Sequence, residues 1–296
     1  MADWDVVIIG GGPAGLSAGA AAAKAGLSTV IIDRMGGGGE LMNLGTLLDM
    51  KEAITGPDLA ARLLDEAATA GAELAIGEVT EIKPDGELWQ ILTDQEQHRA
   101  RAILIAVGRA PGTLGLPNED RFEGRGLSHC GACDGPLFSG QPVVVAGNDR
   151  WARHEARDLV ATCSTVTLVG PGVVQRADDG VIALSGRITA LEGENGLTAV
   201  QVQPEDGSAP VRLPAEAVFV QASRQPNLSF VTEHLARDRD GFIVTRHPGQ
   251  CSLQGLFAAG DVCSEQGPKV ASAIASGRAA AASVCDTLRP LGKSPE

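Results

Sequence analysis

The stretch "DVVIIGGGPAGLSAGAAAAKAGLSTVIID", residues 5–33, leaves few folds open to this chain. Asp5 to Ile9 is a short apolar run of β character, Leu16 to Ala25 an alanine-rich helix, and Thr29 to Ile32 a β-branched apolar run. Gly10, Gly12 and Gly15 stand between strand and helix in the spacing G-x-G-x-x-G, with Pro13 and Ala14 inside it. Asp33 closes the second strand, with Arg34 behind it. Such glycines permit a tight turn, close approach of a pyrophosphate to the backbone, and tight helix–strand packing. The helix N-terminus favours the anion, and the acid can accept hydrogen bonds from an adenosine ribose. A lone glycine triplet can be an ordinary βα turn. With strand, helix and acid in register it reads as a dinucleotide site.

The rest of the chain repeats this grammar. A helix is expected at Gly56–Ala70, entered through "TGPD", and "ARAILIAVGRAPG" is a buried strand ending in Ala106, Val107 and Gly108. "QPVVVAGNDRWARHEARDLVATCSTVTLVGPG" opens a second strand–turn–helix–strand unit, and Gly180 to Phe219 has the turn-rich pattern of an antiparallel meander. "DGFIVT", "GLFAAGD" and a long alanine-rich helix near Val270–Leu288 close the chain. The fold class is therefore α/β, with two Rossmann-like dinucleotide-binding domains, the second inserted in the first and shortened. The expected borders are 1–115 with 237–296 for the first domain and 116–236 for the insert.

Composition narrows the partners. The 296 residues carry a net charge of −13, which argues against nucleic acid and against anionic membrane. No apolar run approaches a membrane span, and the N-terminus has no basic segment of a secretory signal. Six cysteines are mostly scattered, unlike a disulfide framework, so a cytoplasmic location is expected. In that setting Cys130 and Cys133, in "SHCGACDGPLF", point to redox or metal chemistry. A zinc site would need two further ligands at suitable spacing, and no second Cys or His pair appears. His129 beside the pair reads as a surface or helix-start residue. Two cysteines sharing a helix N-terminus have a lowered thiolate pKa.

The choice between FAD and NAD at the first site rests on "GLFAAGDVCSEQGPKVASAIASGRAAAA". A strand ending in Gly260–Asp261, followed by a helix beginning near Lys269 and Val270, can meet the flavin end of FAD. Here the chain resembles the low-molecular-weight thioredoxin reductase family. The matches are "GGGPAGLSA", "GGGEL" (Gly39, Glu40, Leu41), "TGPDLAARLLDEAATAGAEL", "ILIAVGRAPGTLGLPNEDRFEGRGLSHCGACDG", "QPNLSFV", "DGFIV" and "GLFAAGDV". "CGACDG" is similar to the family's "CATCDG". The resemblance implies Cys133 as the sulfur that exchanges electrons with the flavin, Cys130 as the one that meets an outside disulfide or dithiol, and Asp134 as the acid/base for the thiol proton. It also implies Val79 at the cofactor, a homodimer, and rotation of the insert about "RAPGTLGLP" and "LARDRDG". The other four cysteines read as structural.

The departures lie in the second unit and beside the flavin. Where the family's NADPH turn has glycine, glycine and alanine, this chain has Ala146, Asn148 and Trp151, with Asn148 a residue type that tolerates a left-handed turn. Gly170, Pro171 and Gly172 replace the basic cluster that grips the NADPH 2′-phosphate, only Arg176 is nearby, and a helix is missing. Glu40 and Lys269 stand where glutamines are expected, and Asp49 where the family has asparagine. A cation at Lys269 would stabilise a reduced, anionic flavin, unless Glu40 pairs with it and cancels the charge. The expected function is an FAD-dependent thiol–disulfide oxidoreductase with NADPH use doubtful, acting on thioredoxin or a small dithiol such as a lipoyl group. Its second partner is a ferredoxin or other flavin donor, or oxygen as acceptor. The alternatives are an NADPH-dependent thioredoxin reductase with a divergent nucleotide site, and a non-catalytic FAD-binding maturation partner.

Overall fold

The computed structural model describes residues 3–45, 47, 50–110, 112–177, 179–222, 225–246, 248–263 and 270–288. They form strands β1 (Asp3–Ile9), β2 (Thr29–Asp33), β3 (Glu73–Ile76), β4 (Val79–Asp85), β5 (Leu88–Thr93), β6 (Gln97–Ile105), β7 (Leu127–Ser128), β8 (Pro142–Ala146), β9 (Thr165–Gly170), β10 (Ile182–Glu192), β11 (Ala199–Pro204), β12 (Val211–Pro214), β13 (Ala217–Val220) and β14 (Leu256–Ala258). The helices are α1 (Pro13–Lys24), α2 (Gly56–Thr69), α3 (Gly131–Asp134), α4 (Arg150–Val160) and α5 (Val270–Leu288). Among the described residues no helix is long and apolar enough to cross a membrane. Contacts divide the chain into two compact units, Met1–Arg109 with Gln225–Glu296, and Ala110–Arg224.

The first unit carries a sheet in the order β3-β2-β1-β6-β5-β4, with β14 also paired to β6. Strands β1, β2, β3, β6 and β14 run parallel, whereas β5 pairs antiparallel with β6 and with β4. Strand β1 is buried to both sides: Val6 and Ile8 face the core under the helices, and Val7 and Ile9 the core on the other face. That two-sided burial is why its apolar run does not alternate with polar residues. Helix α1 is almost entirely small residues because α5 lies against it. A Cβ at Gly277 would collide with the carbonyl of Ala14, and one at Gly19 with Ile31. Residues 225–235 pack in this unit, with Phe230 and Val231 in its core and the Ile82 N–H donating to the Phe230 carbonyl at 2.8 Å.

The second unit carries a sheet in the order β12-β11-β10-β9-β8-β13-β7. The expected meander is only partly antiparallel. Strands β10, β11 and β12 are, but β10 leaves β9 in parallel, and β13 returns beside the edge strand, parallel to both β8 and β7. Full burial of Ala217–Val220 explains the return: such an apolar strand needs neighbours on both edges and cover on both faces. Among the described residues between β9 and β10 there is no helix.

Replacing Gly277 by valine pushes side-chain volume into the α1 backbone. Overpacking of this kind costs about 2–3 kcal/mol, so the midpoint of thermal unfolding should fall by roughly 5 °C or more.

Candidate active site

The first unit gathers several of the sequence-predicted cofactor residues around the start of α1. Gly10 has φ of +103°, and a Cβ there would stand 2.5 Å from the carbonyl oxygen of Ala106 and 3.0 Å from Cα of Val107. A Cβ at Gly15 would collide with the carbonyl of Gly10. Strand end, turn and helix start are thus in backbone contact, and only glycine fits. Gly39 brings its own loop to within 3.1 Å of the Gly12 Cα, measured from where its Cβ would be. Gly260, φ +80°, sits against Ala14, and its N–H donates to Ser276 Oγ of α5 at 3.0 Å. Asp261 follows in a short 3-10 turn, and Val270, buried, opens α5.

Asp33 has a second task. Its carboxylate accepts from the N–H groups of Gly11 at 2.7 Å, Met35 at 2.8 Å and Gly37 at 3.1 Å. It therefore fixes the glycine loop 36–39 beside the first turn, while two oxygens with about four lone-pair positions leave room for a ribose hydroxyl. Arg34 is exposed, Glu40 half-buried and Leu41 buried. Val79 opens β4 opposite Thr93, and Gly108, φ +64°, follows β6. Asp49 and Lys269 lie outside the described residues.

The second unit holds the cysteines. Cys130 and Cys133 form a disulfide with Cα atoms 5.4 Å apart. Cys130 caps α3, its Sγ accepting the Cys133 N–H at 3.0 Å; it is buried, whereas Cys133 is exposed. The Ser128 hydroxyl accepts the Cys130 N–H at 3.1 Å and donates to Asp134 Oδ2 at 2.7 Å. Ser128 was not singled out in the sequence, because its role appears only once α3 folds back over β7. His129 is half-buried, with Nε2 3.0 Å from Glu123 Oε1. Cys163, Cys251 and Cys263 are poor nucleophiles: burial raises the thiol of Cys163 and pushes those of Cys251 and Cys263 up to about 12.

At the second glycine-turn position the backbone differs from the expected left-handed turn. Asn118 is the one non-glycine residue with positive φ among those described, so Asn148 does not adopt it. Instead Asn148 Nδ2 donates to the Pro171 carbonyl at 3.2 Å, tying the turn to the loop after β9. Asp149 caps α4 through the N–H groups of Trp151 and Ala152, and Trp151 is buried, 6.4 Å from His154 ring to ring. The Gly172 N–H donates to Ser185 Oγ at 3.0 Å and Glu205 Oε2 at 2.9 Å. A carboxylate thus stands on this loop. The loop is held from α4, where Arg153 pairs with Asp179 at 2.7 Å and donates to the Val174 carbonyl at 2.6 Å. Burial would raise the Asp179 carboxyl, but the Arg153 bond, the Val181 N–H and the Arg157 charge outweigh it and hold it below the ordinary range.

Two dinucleotide-type folds, one bearing a vicinal cysteine disulfide, define a disulfide oxidoreductase of the dinucleotide-binding class. The family model described as pyridine nucleotide-disulphide oxidoreductase matches residues 4–179 and 172–277. The thioredoxin reductase of Mycolicibacterium smegmatis is 31% identical over 93% of this chain and 94% of its own length. The solved thioredoxin reductase of Lactococcus lactis superposes with a TM-score of 0.90 at 26% identity, covering 96% of this chain and 98% of that one. A ferredoxin-flavin thioredoxin reductase from Clostridium acetobutylicum shares the fold, with a TM-score of 0.54 at 24% identity over 97% and 98% of the two chains. The chain belongs to the pyridine nucleotide-disulphide oxidoreductases, in the low-molecular-weight thioredoxin reductase family. It is a thioredoxin reductase-like enzyme with a redox-active CxxC pair.

Membership implies FAD, and the first unit fits it. Helix α1 has no side-chain cap and no acid in its first turn, and a Cβ on Gly12 would meet nothing within 4 Å. Its uncapped N–H groups can therefore receive a pyrophosphate directly.

Asp179→Asn should destabilise the protein by about 3 kcal/mol, because Arg153 stays buried without its counter-charge. The sign of the pH effect follows from the lowered carboxyl. The pair's contribution is complete above the unfolded carboxyl's pKa and is lost as pH falls through the lower folded one. Denaturant unfolding at pH 7 and in acid should show the difference between parent and variant shrinking as pH drops.

Proposed function

We propose that this enzyme exchanges electrons between FAD and the Cys130–Cys133 couple without NADPH. Its substrate is a thioredoxin-like protein or a small dithiol such as a lipoyl group. The carrying observation is the loop after β9, where the Glu205 carboxylate sits on Gly172 at the position the family uses for cations. The 2′-phosphate of NADPH would meet a like charge there, and like charges at short range repel. The Asn148–Pro171 bridge and the ion-paired loop in place of a helix support the same reading.

Bound FAD would supply a two-electron acceptor or donor, held by Gly10, Gly12, Pro13, Ala14, Gly15 and Asp33 at its pyrophosphate and adenosine end. Gly39, Glu40, Leu41, Ala106, Val107, Gly108, Gly260, Asp261 and Val270 would hold the remainder. In the second unit Cys133 is the sulfur that faces the cofactor during electron exchange, and Cys130 the one that attacks an outside disulfide. Asp134, oriented by the Ser128 hydroxyl, takes and returns the thiol proton. Cys130 is buried in the described state, so it must be uncovered before an external sulfur reaches it. The second partner is then a ferredoxin-like or flavin donor, or oxygen as acceptor, and the assembly a homodimer.

The test is an anaerobic visible-spectrum titration of the purified yellow protein. NADPH should leave the flavin band unchanged, whereas a dithiol should bleach it, and Cys133→Ser should abolish that bleaching. Prompt bleaching by NADPH would make this a conventional NADPH-dependent reductase.

A further inference from the structure

"CGACDG" parts from the family's "CATCDG" at Gly131 and Ala132, and at Gly131 a carboxylate takes up the room. Glu155, on α4, accepts the Gly131 N–H through Oε1. A Cβ at position 131 would stand 2.6 Å from Glu155 Oε1 and 2.8 Å from its Cγ, well inside contact distance. An alanine at 131 would therefore push this carboxylate from its place. The peptide that Glu155 holds is the one joining Cys130 to Gly131. Its N–H belongs to the positive end of α3, which otherwise favours a thiolate at the cap. Other charges near the couple include Asp134 on α3 itself, held by Ser128, and the His129–Glu123 pair before it. Glu155 has other interactions as well, and its hold on Gly131 does not require it to be otherwise unpaired.

We propose that Glu155 is a positioning residue for the dithiol. Through the Gly131 peptide it keeps negative charge beside Cys130 and Cys133, disfavours the thiolate of their reduced form, and where that thiolate is populated makes the couple a stronger electron donor. This rests on the CxxC–flavin reading above and gives it a direction: the substrate is a disulfide, and electrons leave toward it. The Cys130 thiolate attacks one substrate sulfur, forming a mixed disulfide and releasing the other sulfur as a thiolate that takes up a proton. Cys133 then attacks the Cys130 sulfur, re-forms the Cys130–Cys133 bond and frees the second substrate thiol. The two electrons are restored through FAD from the ferredoxin-like or flavin donor.

The experiment equilibrates the holoenzyme anaerobically at pH 9, where thiolates are populated, in buffers of dithiothreitol and its cyclic disulfide. One reagent dithiol gives two electrons to Cys130–Cys133, and of its two protons the one lost when a product thiol ionises goes to the buffer. Alkylation and mass measurement read the dithiol fraction, and absorbance reads the flavin separately. In Glu155→Gln the reduction equilibrium constant should rise about three- to tenfold, the effect of half to one pK unit on a thiol. Tenfold corresponds to about 30 mV more oxidising. Gly131→Ala, which displaces the carboxylate, should shift it the same way and reads the same contact if E155Q fails to fold. The double variant should move no further than either single one. A shift below twofold, or toward a more reducing couple, in a folded E155Q with its flavin spectrum intact overturns the proposal. If the parent couple does not exchange with dithiothreitol at all, the CxxC reading itself falls. Exchange in the parent with no shift in E155Q removes only the role of Glu155.

Discussion

Backbone packed against backbone around the first turn of α1 is the contact on which the first unit depends. Gly15 meets Gly10, Gly10 meets Ala106, and Gly277 meets Ala14, each at a distance that admits no side chain. These contacts pull the ends of β1 and β6, the start of α1 and the flank of α5 into one place. They also leave the N–H groups of the helix start uncovered, because nothing larger than hydrogen projects from Gly12. Tight packing and an open anion cradle are thus two results of one choice of residue. The Asp33 carboxylate then draws the loop 36–39 onto the same turn, so that the cofactor floor is built almost wholly from main chain.

The second unit keeps the parallel strands of a nucleotide-binding fold but uses their ends differently. At the ends of β8 and β9 side chains of the unit itself tie the loops together: Asn148 to Pro171, Glu205 to Gly172, Arg153 to Asp179. The last pair is buried, and such a pair persists only when its geometry repays the loss of hydration. Here it does so by ordering a loop that has no helical hydrogen bonds of its own. The same helix, α4, faces the cysteines with Glu155, so one element carries both the rebuilt loop and the charge beside the disulfide.

Around the cysteines the polar groups are mostly acids. Asp134, Glu155 and Glu123 approach from α3, α4 and the turn before β7, and each is tied to a hydroxyl, a peptide or an imidazole. Negative charge near a thiol raises the cost of its thiolate, while the N-cap position and the Cys133 N–H lower it. The couple's tendency to give up electrons is set by that balance.

Much of this was legible in residue order alone. The glycine triplet, the apolar strand β1, the helix over Val270–Leu288 and the CxxC each follow from local rules of spacing and period. The changes at Ala146, Asn148 and Trp151 and the glycines after β9 were also visible, because they break a local pattern. What the sequence could not show was every contact made between segments far apart in the chain. Glu155 on Gly131, Glu205 on Gly172 and the return of β13 between β8 and β7 join residues through folding alone. The antiparallel pair β4 and β5 was missed for a related reason, since its short half-exposed strands pack only on one face. Local spacing determined that this chain carries a dinucleotide-type turn and a redox pair. Tertiary structure alone decided which charges stand beside that pair, because a carboxylate acts through distance in space, and distance in space is not written in distance along the chain.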